Sequence, residues 1–140
     1  MSESTEMYLE TILILKERNG YVRSIDLAHE MHYSKPTISQ QMKRLKEKGL
    51  IEIDEKGHIS LSPSGLSVGK MIYERHQLLT TIFLHIGVAE DIARKDACRL
   101  EHYISQESVT ALKTYFHDII ETDQEVWFVF YFFEETYHTW

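Results

Sequence analysis

Cysteine occurs once in these 140 residues, at position 98, so a disulfide within the chain is excluded. A single thiol fits a reducing compartment, where it stays a thiol. With two prolines and six glycines there is no low-complexity linker, and no internal repeat is present. Long apolar runs are missing too. The longest, residues 126–133, has eight residues, well short of the ~20 that a membrane-spanning helix needs. The opening Met1-Ser-Glu-Ser-Thr-Glu6 is acidic and polar, which does not suit a signal peptide. These absences predict a cytoplasmic protein with no membrane partner. The 43% apolar and 26% charged composition is that of an ordinary globular chain of one or two small domains.

Basic residues are outnumbered, 15 against 22 acidic ones, for a net charge of −7. Such a balance argues against nucleic acid until it is divided along the chain. Residues 1–72 hold ten Lys/Arg and ten Asp/Glu, and residues 73–140 hold five and twelve. Within residues 35–48, Lys35, Lys43, Arg44, Lys46 and Lys48 face one acid, Glu47. Contact with phosphates is governed by local charge, so the overall acidity leaves DNA binding open.

Helical periodicity at Met7, Leu9, Ile12, Leu13 and Leu15 predicts a first helix over residues 5–18, closed by Asn19-Gly20. Ser24 is placed to cap a second helix over 25–31. Ser34 is placed to cap a third, with Pro36 in its first turn and Gly49 just past its end. Alternating residues 50–54 and 58–62 around Glu55-Lys-Gly57 predict a β-hairpin, with Gly57 free to take positive φ. Three helices and a hairpin in this order make a winged helix-turn-helix. A long helix over 63–85, opened by Pro63 and ended by Gly87, reads as a connector to two further helices, about 89–104 and 107–120, the second capped by Ser105. The predicted fold is mainly α with a small β-hairpin wing: a DNA-binding domain over 1–72 followed by an all-helical domain over 73–140. The tail at 126–133, with six aromatics in eight residues, is expected to bury against that second domain or a second subunit.

The second helix of a helix-turn-helix enters the major groove and reads bases from its N-terminal residues. Ser34, Pro36, Thr37, Ser39 and Gln40 stand there. Gln pairs adenine with two bonds, and Pro or Thr carbons lie against thymine methyls. Lys35, Lys43 and Arg44, with Arg23 and Lys56 of the wing, would neutralise phosphates. The alternative is a metal-independent winged-helix regulator or protein-interaction module, with a solvated polar helix in this place.

In Asp96-Ala-Cys-Arg-Leu-Glu-His-Tyr103, helical spacing puts Cys98, Glu101 and His102 on one face, a thiol, a carboxylate and an imidazole suited to a divalent transition metal. The other reading is an amphipathic helix with a small core Cys and solvated Glu and His. A metallohydrolase would also need a general base and a substrate pocket. Neither is identifiable, so no enzyme is predicted. His29, His32, His58, His85 and His117 show no metal spacing and read as surface or core-edge groups.

Four motifs in register, Thr5-Glu-Met-Tyr-Leu-Glu10, Ser34-Lys-Pro-Thr-Ile-Ser-Gln40, Glu74-Arg-His-Gln-Leu-Leu79 and Asp96-Ala-Cys-Arg-Leu-Glu-His102, resemble the diphtheria toxin repressor family of metal-dependent transcriptional repressors over residues 4–120. The resemblance implies a homodimer formed through the C-terminal half, with each winged helix reading half of a palindromic operator. It places an iron-type primary site on Met7, Cys98, Glu101 and His102. Manganese-type members carry carboxylates where Met7 and Cys98 stand. Sulfur ligands disfavour Mn²⁺ relative to Fe²⁺, Co²⁺, Ni²⁺ or Zn²⁺, so Fe²⁺ is the expected signal. The iron-type ancillary site is broken, because Thr80 and Arg94 occupy two of its positions beside His76. Glu10 and His76 instead match manganese-type positions, implying a second ion held by Glu10, His76 and Glu101. The family's third, SH3-like domain has no counterpart.

Overall fold

The computed structural model describes residues 1–122, and the aromatic run at 126–133 lies outside the described residues. The element order is α1 (Glu3–Asn19), α2 (Ser24–Met31), α3 (Lys35–Glu47), β1 (Ile51–Ile53), β2 (Ile59–Leu61), α4 (Pro63–His85), α5 (Glu90–Leu100), α6 (Gln106–Tyr115) and α7 (His117–Thr122). It is the mainly helical fold with one hairpin that the sequence predicts. The chain divides into two compact units, Met1–Met71 and Ile72–Trp140.

In the first unit, α1 buries Tyr8, Leu9, Ile12, Leu13 and Leu15, a stripe that returns every three or four residues. Gly20 ends it at φ 81°, its N–H donating to the Lys16 carbonyl at 2.8 Å. The start of α2 differs from expectation. Arg23, not Ser24, is the N-cap residue, and the Asp26 carboxylate accepts from its backbone N–H at 2.8 Å. That carboxylate reaches back from the first turn to the Arg23 N–H, so the helix starts one residue earlier and Ser24 lies inside it. His32 closes α2 in the left-handed region, at φ 58°. Ser34 then caps α3 as predicted, accepting from the Thr37 N–H at 3.3 Å. Ile38, Met42 and Leu45 fix α3 to the core, each contributing about 1.5–3 kcal/mol by burial.

The hairpin pairs Ile51 with Leu61, Glu52 with Ser60 and Ile53 with Ile59, so its strands are shorter than the predicted 50–54 and 58–62. The ends are taken by the turn. The Asp54 carboxylate accepts from the N–H groups of Lys56 and His58, both at 2.9 Å, and Gly57 sits at φ 78°. The bond from the His58 amide is the main reason the Asp54 carboxyl is held below its ordinary pKa. The Ile59 N–H donates to the Val22 carbonyl at 2.7 Å, so residues 21–23 run beside β2.

Ser62 anchors the start of α4. Its hydroxyl donates to the Gly49 carbonyl at 2.6 Å and accepts from the Gly65 N–H at 3.1 Å. The first turn of α4 therefore rests directly on the backbone at Leu50, and Gly65 is the residue that permits the approach.

In the second unit, Leu78, Ile82 and Val109 form a buried cluster, with Ile104, Leu112, Phe116 and Ile120 packed on it. The predicted helix over 107–120 is two helices, broken at Phe116. Phe116 leaves helical geometry at φ −99°, ψ 19° while its ring joins that cluster. Burial of the aromatic ring outweighs helix continuity there. The predicted 89–104 helix stops at Leu100, for a reason that lies in the site.

Gly65→Ala tests the close seat of α4. A Cβ at this position would overlap the Leu50 carbonyl oxygen, which is backbone and has no other rotamer. Urea unfolding should show a loss of about 1–3 kcal/mol, against a small effect for alanine at exposed Ser67.

Candidate nucleic-acid interface and metal centre

The division of α3 into two faces is complete. Ile38, Met42 and Leu45 are buried, while Ser34, Lys35, Pro36, Thr37, Ser39, Gln40, Lys43 and Arg44 are exposed. Its first turn carries no acid, so no carboxylate there offsets the positive end of the helix dipole. The hydroxyls of Ser34 and Thr37 lie 2.8 Å apart and serve the cap. Ser39 and Gln40, one turn further, have no capping role.

Lys56 is exposed at the tip of the hairpin and Arg23 at the start of α2. The Arg23 guanidinium lies over the Tyr21 ring, 5.6 Å from its centroid, and its Nη2 is 3.2 Å from His58 Nε2. The sequence reading left Tyr21 and His58 out of this surface. Only the tertiary fold joins His58 to Arg23, across 35 positions of sequence.

In the second unit, His76 of α4 and the segment after α5 come together. His76 Nδ1 is 2.8 Å from Glu101 Oε2, and His102 Nε2 is 3.5 Å from Glu101 Oε1. The side chains of Glu101 and His102 are 0% exposed and that of His76 is 19% exposed. A carboxylate withdrawn from water needs positive charge or donors around it. Here two imidazoles converge on it.

Glu101 is the C-cap of α5, and His102 follows in the turn beyond it. The Glu101 N–H still donates to the Ala97 carbonyl at 3.0 Å, and Cys98 is exposed on the last turn of α5. Arg75 explains the early stop. This residue is 8% exposed and donates from Nη1 to the carbonyls of Ile104, at 2.7 Å, and Glu101, at 3.3 Å. Its Nη2 donates to Gln106 Oε1 at 3.3 Å. A guanidinium thus takes carbonyls that a longer helix would direct along its axis. The signal in the sequence is an arginine standing in the apolar stripe of Ile72, Leu79 and Ile82.

Met7 and Glu10 lie one turn apart on α1 in the first unit, both half-buried, with Met7 beside Met31 and Tyr33 in a shallow groove. Thr80 is buried, and its hydroxyl has no hydrogen-bond partner among the described residues. Arg94 is exposed and paired with Glu90 at 3.1 Å. Among the described residues, no three His, Cys, Asp or Glu side chains already stand as a coordination shell. His76 and Glu101 share a hydrogen bond, and His102 stands at ion-pair distance from the same carboxylate. The chemistry of the set still fits a divalent first-row ion: two imidazoles on a buried carboxylate.

A winged helix exposing a basic reading helix, with a second helical unit that buries a His–Glu–His cluster, defines a DNA-binding regulator with a ligand-responsive centre. Residues 1–59 match the family described as iron-dependent repressor, N-terminal DNA-binding domain, and residues 62–125 match its metal-binding and dimerisation domain. The chain belongs to this family, the diphtheria toxin repressor family of metal-dependent transcriptional repressors, whose members are DNA-binding regulators and not enzymes. It is 34% identical to "Transcriptional regulator MntR" of Escherichia coli O6:H1, covering 81% of this chain and 73% of the relative. It is 29% identical to "Iron-dependent repressor IdeR" of Mycobacterium leprae, over 75% and 46%. The solved "manganese regulator SloR" superposes with a TM-score of 0.71 at 26% identity, over 84% of this chain and 55% of that one. The chain therefore spans about half the length of that solved relative.

Arg75→Met should remove three charge-assisted hydrogen bonds with little loss of volume. Stability of the metal-free chain should fall by about 2–4 kcal/mol in urea titrations, and Arg75→Lys should recover part of it.

Proposed function

We propose that this chain is a cytoplasmic, homodimeric repressor that binds a palindromic DNA operator when loaded with a divalent transition metal, Fe²⁺ in preference to Mn²⁺. The observation that carries the reading is Glu101, a fully buried carboxylate with an imidazole on either side. The proposed ligands are Met7, Cys98, Glu101 and His102, with Glu10 and His76 available to a second ion. Residues 1–72 form the DNA-binding domain and 73–140 the metal-binding and dimerisation domain. A single thiol is consistent with the cytoplasm, and no helix among the described residues is long and apolar enough to cross a membrane.

The ion would supply a compact double positive charge shared by ligands from separate elements. His76 and His102 would each offer a neutral ring nitrogen and Glu101 its ionised form, so the ion would compete with protons for these side chains. Met7 and Glu10 belong to α1, which packs on β2 of the wing. Ligation through α1 therefore acts on the element that supports the DNA-binding surface. Only a difference in metal affinity between DNA-competent and other states gives regulation. The sulfurs of Met7 and Cys98 support Fe²⁺, because the harder Mn²⁺ favours oxygen ligands. The names of the relatives include both metals, which makes these two side chains the deciding feature.

Gel shifts on an operator selected from random DNA test the metal reading. Binding should require Fe²⁺, Co²⁺, Ni²⁺ or Zn²⁺ under anaerobic conditions and be lost with chelator, and the Met7→Asp/Cys98→Glu double variant should shift activation toward Mn²⁺. Binding that ignores chelator would favour the metal-independent regulator. An unchanged Fe²⁺/Mn²⁺ preference would remove the iron assignment.

The same operator separates the two kinds of DNA contact. Gln40→Ala should cost about 1–3 kcal/mol and relax preference at one base pair. Lys43→Ala should weaken specific and random duplexes alike and lower the salt slope by about one.

A further inference from the structure

We propose that Tyr21, Arg23 and His58 gate one phosphate contact of the DNA-binding surface at the base of the wing, closed while His58 is neutral and opened by its protonation. The proposal rests on the DNA-binding role of the first unit. Val22 is fully buried and its carbonyl pairs with Ile59 N–H. The alternation of extended chain therefore turns Tyr21 and Arg23 outward, on the side where His58 emerges. The Tyr21 and His58 rings are stacked, with centroids 5.2 Å apart and planes 20° apart.

The 3.2 Å contact between Arg23 Nη2 and His58 Nε2 carries a chemical constraint. Arginine only donates, so His58 Nε2 must accept. The imidazole is then neutral, with its proton on Nδ1, which faces Asp54 Oδ2 at 3.8 Å. Neutral His58 thus ties up one arm of a guanidinium on the DNA-facing unit. Protonation abolishes the accepting lone pair and sets two cations side by side. Asp54 stabilises the new charge from one side only. On the other, the Arg23 and His58 donors would be left needing a shared acceptor, which a phosphate oxygen can supply. The groups that face His58 among the described residues are Arg23, Asp54 and Tyr21, with Lys56 next in the turn.

The sign follows from linkage. A bound phosphate favours imidazolium, so the His58 contribution to DNA affinity is present at low pH and lost as pH rises through its titration. Histidine is the side chain suited to this between about pH 5 and 8. Phosphate contacts are independent of sequence, so a random-sequence duplex is the probe.

Fluorescence anisotropy with the full chain and excess Co²⁺, at about pH 5.5 and about pH 8, compares wild type with His58→Gln, a neutral side chain that still accepts from Arg23. Comparing the two proteins at each pH cancels protonation of the metal ligands. At low pH, wild type should bind about three- to tenfold more tightly than His58→Gln, with a salt slope steeper by about one. At high pH the two should agree within about twofold. Arg23→Ala should cost more affinity at low pH than at high pH in wild type, and equally at both in the His58→Gln background. A ratio of wild type to His58→Gln that is the same at both pH values overturns the site. If Lys43→Ala still weakens binding, the recognition-helix reading survives that failure. If it does not, both fail.

Discussion

The second unit depends on one buried cation. Arg75 reaches from α4 to the carbonyls of Glu101 and Ile104 and to the side chain of Gln106. These bonds set where α5 ends and α6 begins. They also place the turn that carries Glu101 and His102. His76 is the next residue along α4, so adjacent positions hold the backbone of that turn and its carboxylate. The pairing of a guanidinium with carbonyls, not with a carboxylate, leaves Glu101 to the two imidazoles.

The first unit solves a different problem, which is to present a polar helix without losing its anchorage. Three apolar side chains hold α3. The wing beside it owes its shape to the backbone bonds of Asp54 and to the rung between Ile59 and Val22. The backbone seat of Gly65 against Leu50 then starts α4 immediately after the hairpin.

Much of this was legible in the sequence because the signals are local. Apolar stripes give the helices, Ser34 and Ser105 cap where expected, and Gly49 and Gly57 take the positive φ assigned to their turns. What was not legible depends on distant partners. The stop of α5 is set by Arg75, 26 positions before Glu101. The break at Phe116 is set by the packing of its ring on Leu78, Ile82 and Val109. The cap of α4 by Ser62 was hidden behind the more conspicuous Pro63. At the candidate site, helical spacing singled out Glu101 and His102 together with Cys98, while the approach of His76 to Glu101, across 25 positions of sequence, was legible only through the resemblance.

The two-faced build of α3 has an evolutionary consequence. Its apolar anchorage is confined to Ile38, Met42 and Leu45, and beyond the Ser34 cap the positions toward solvent bury no apolar side chain. Exchanges among exposed polar residues of a helix usually change stability by less than about 0.5 kcal/mol. A descendant of this chain is therefore free to acquire a new target sequence by replacing Ser39, Gln40 or their neighbours, one at a time, without passing through an unfolded ancestor.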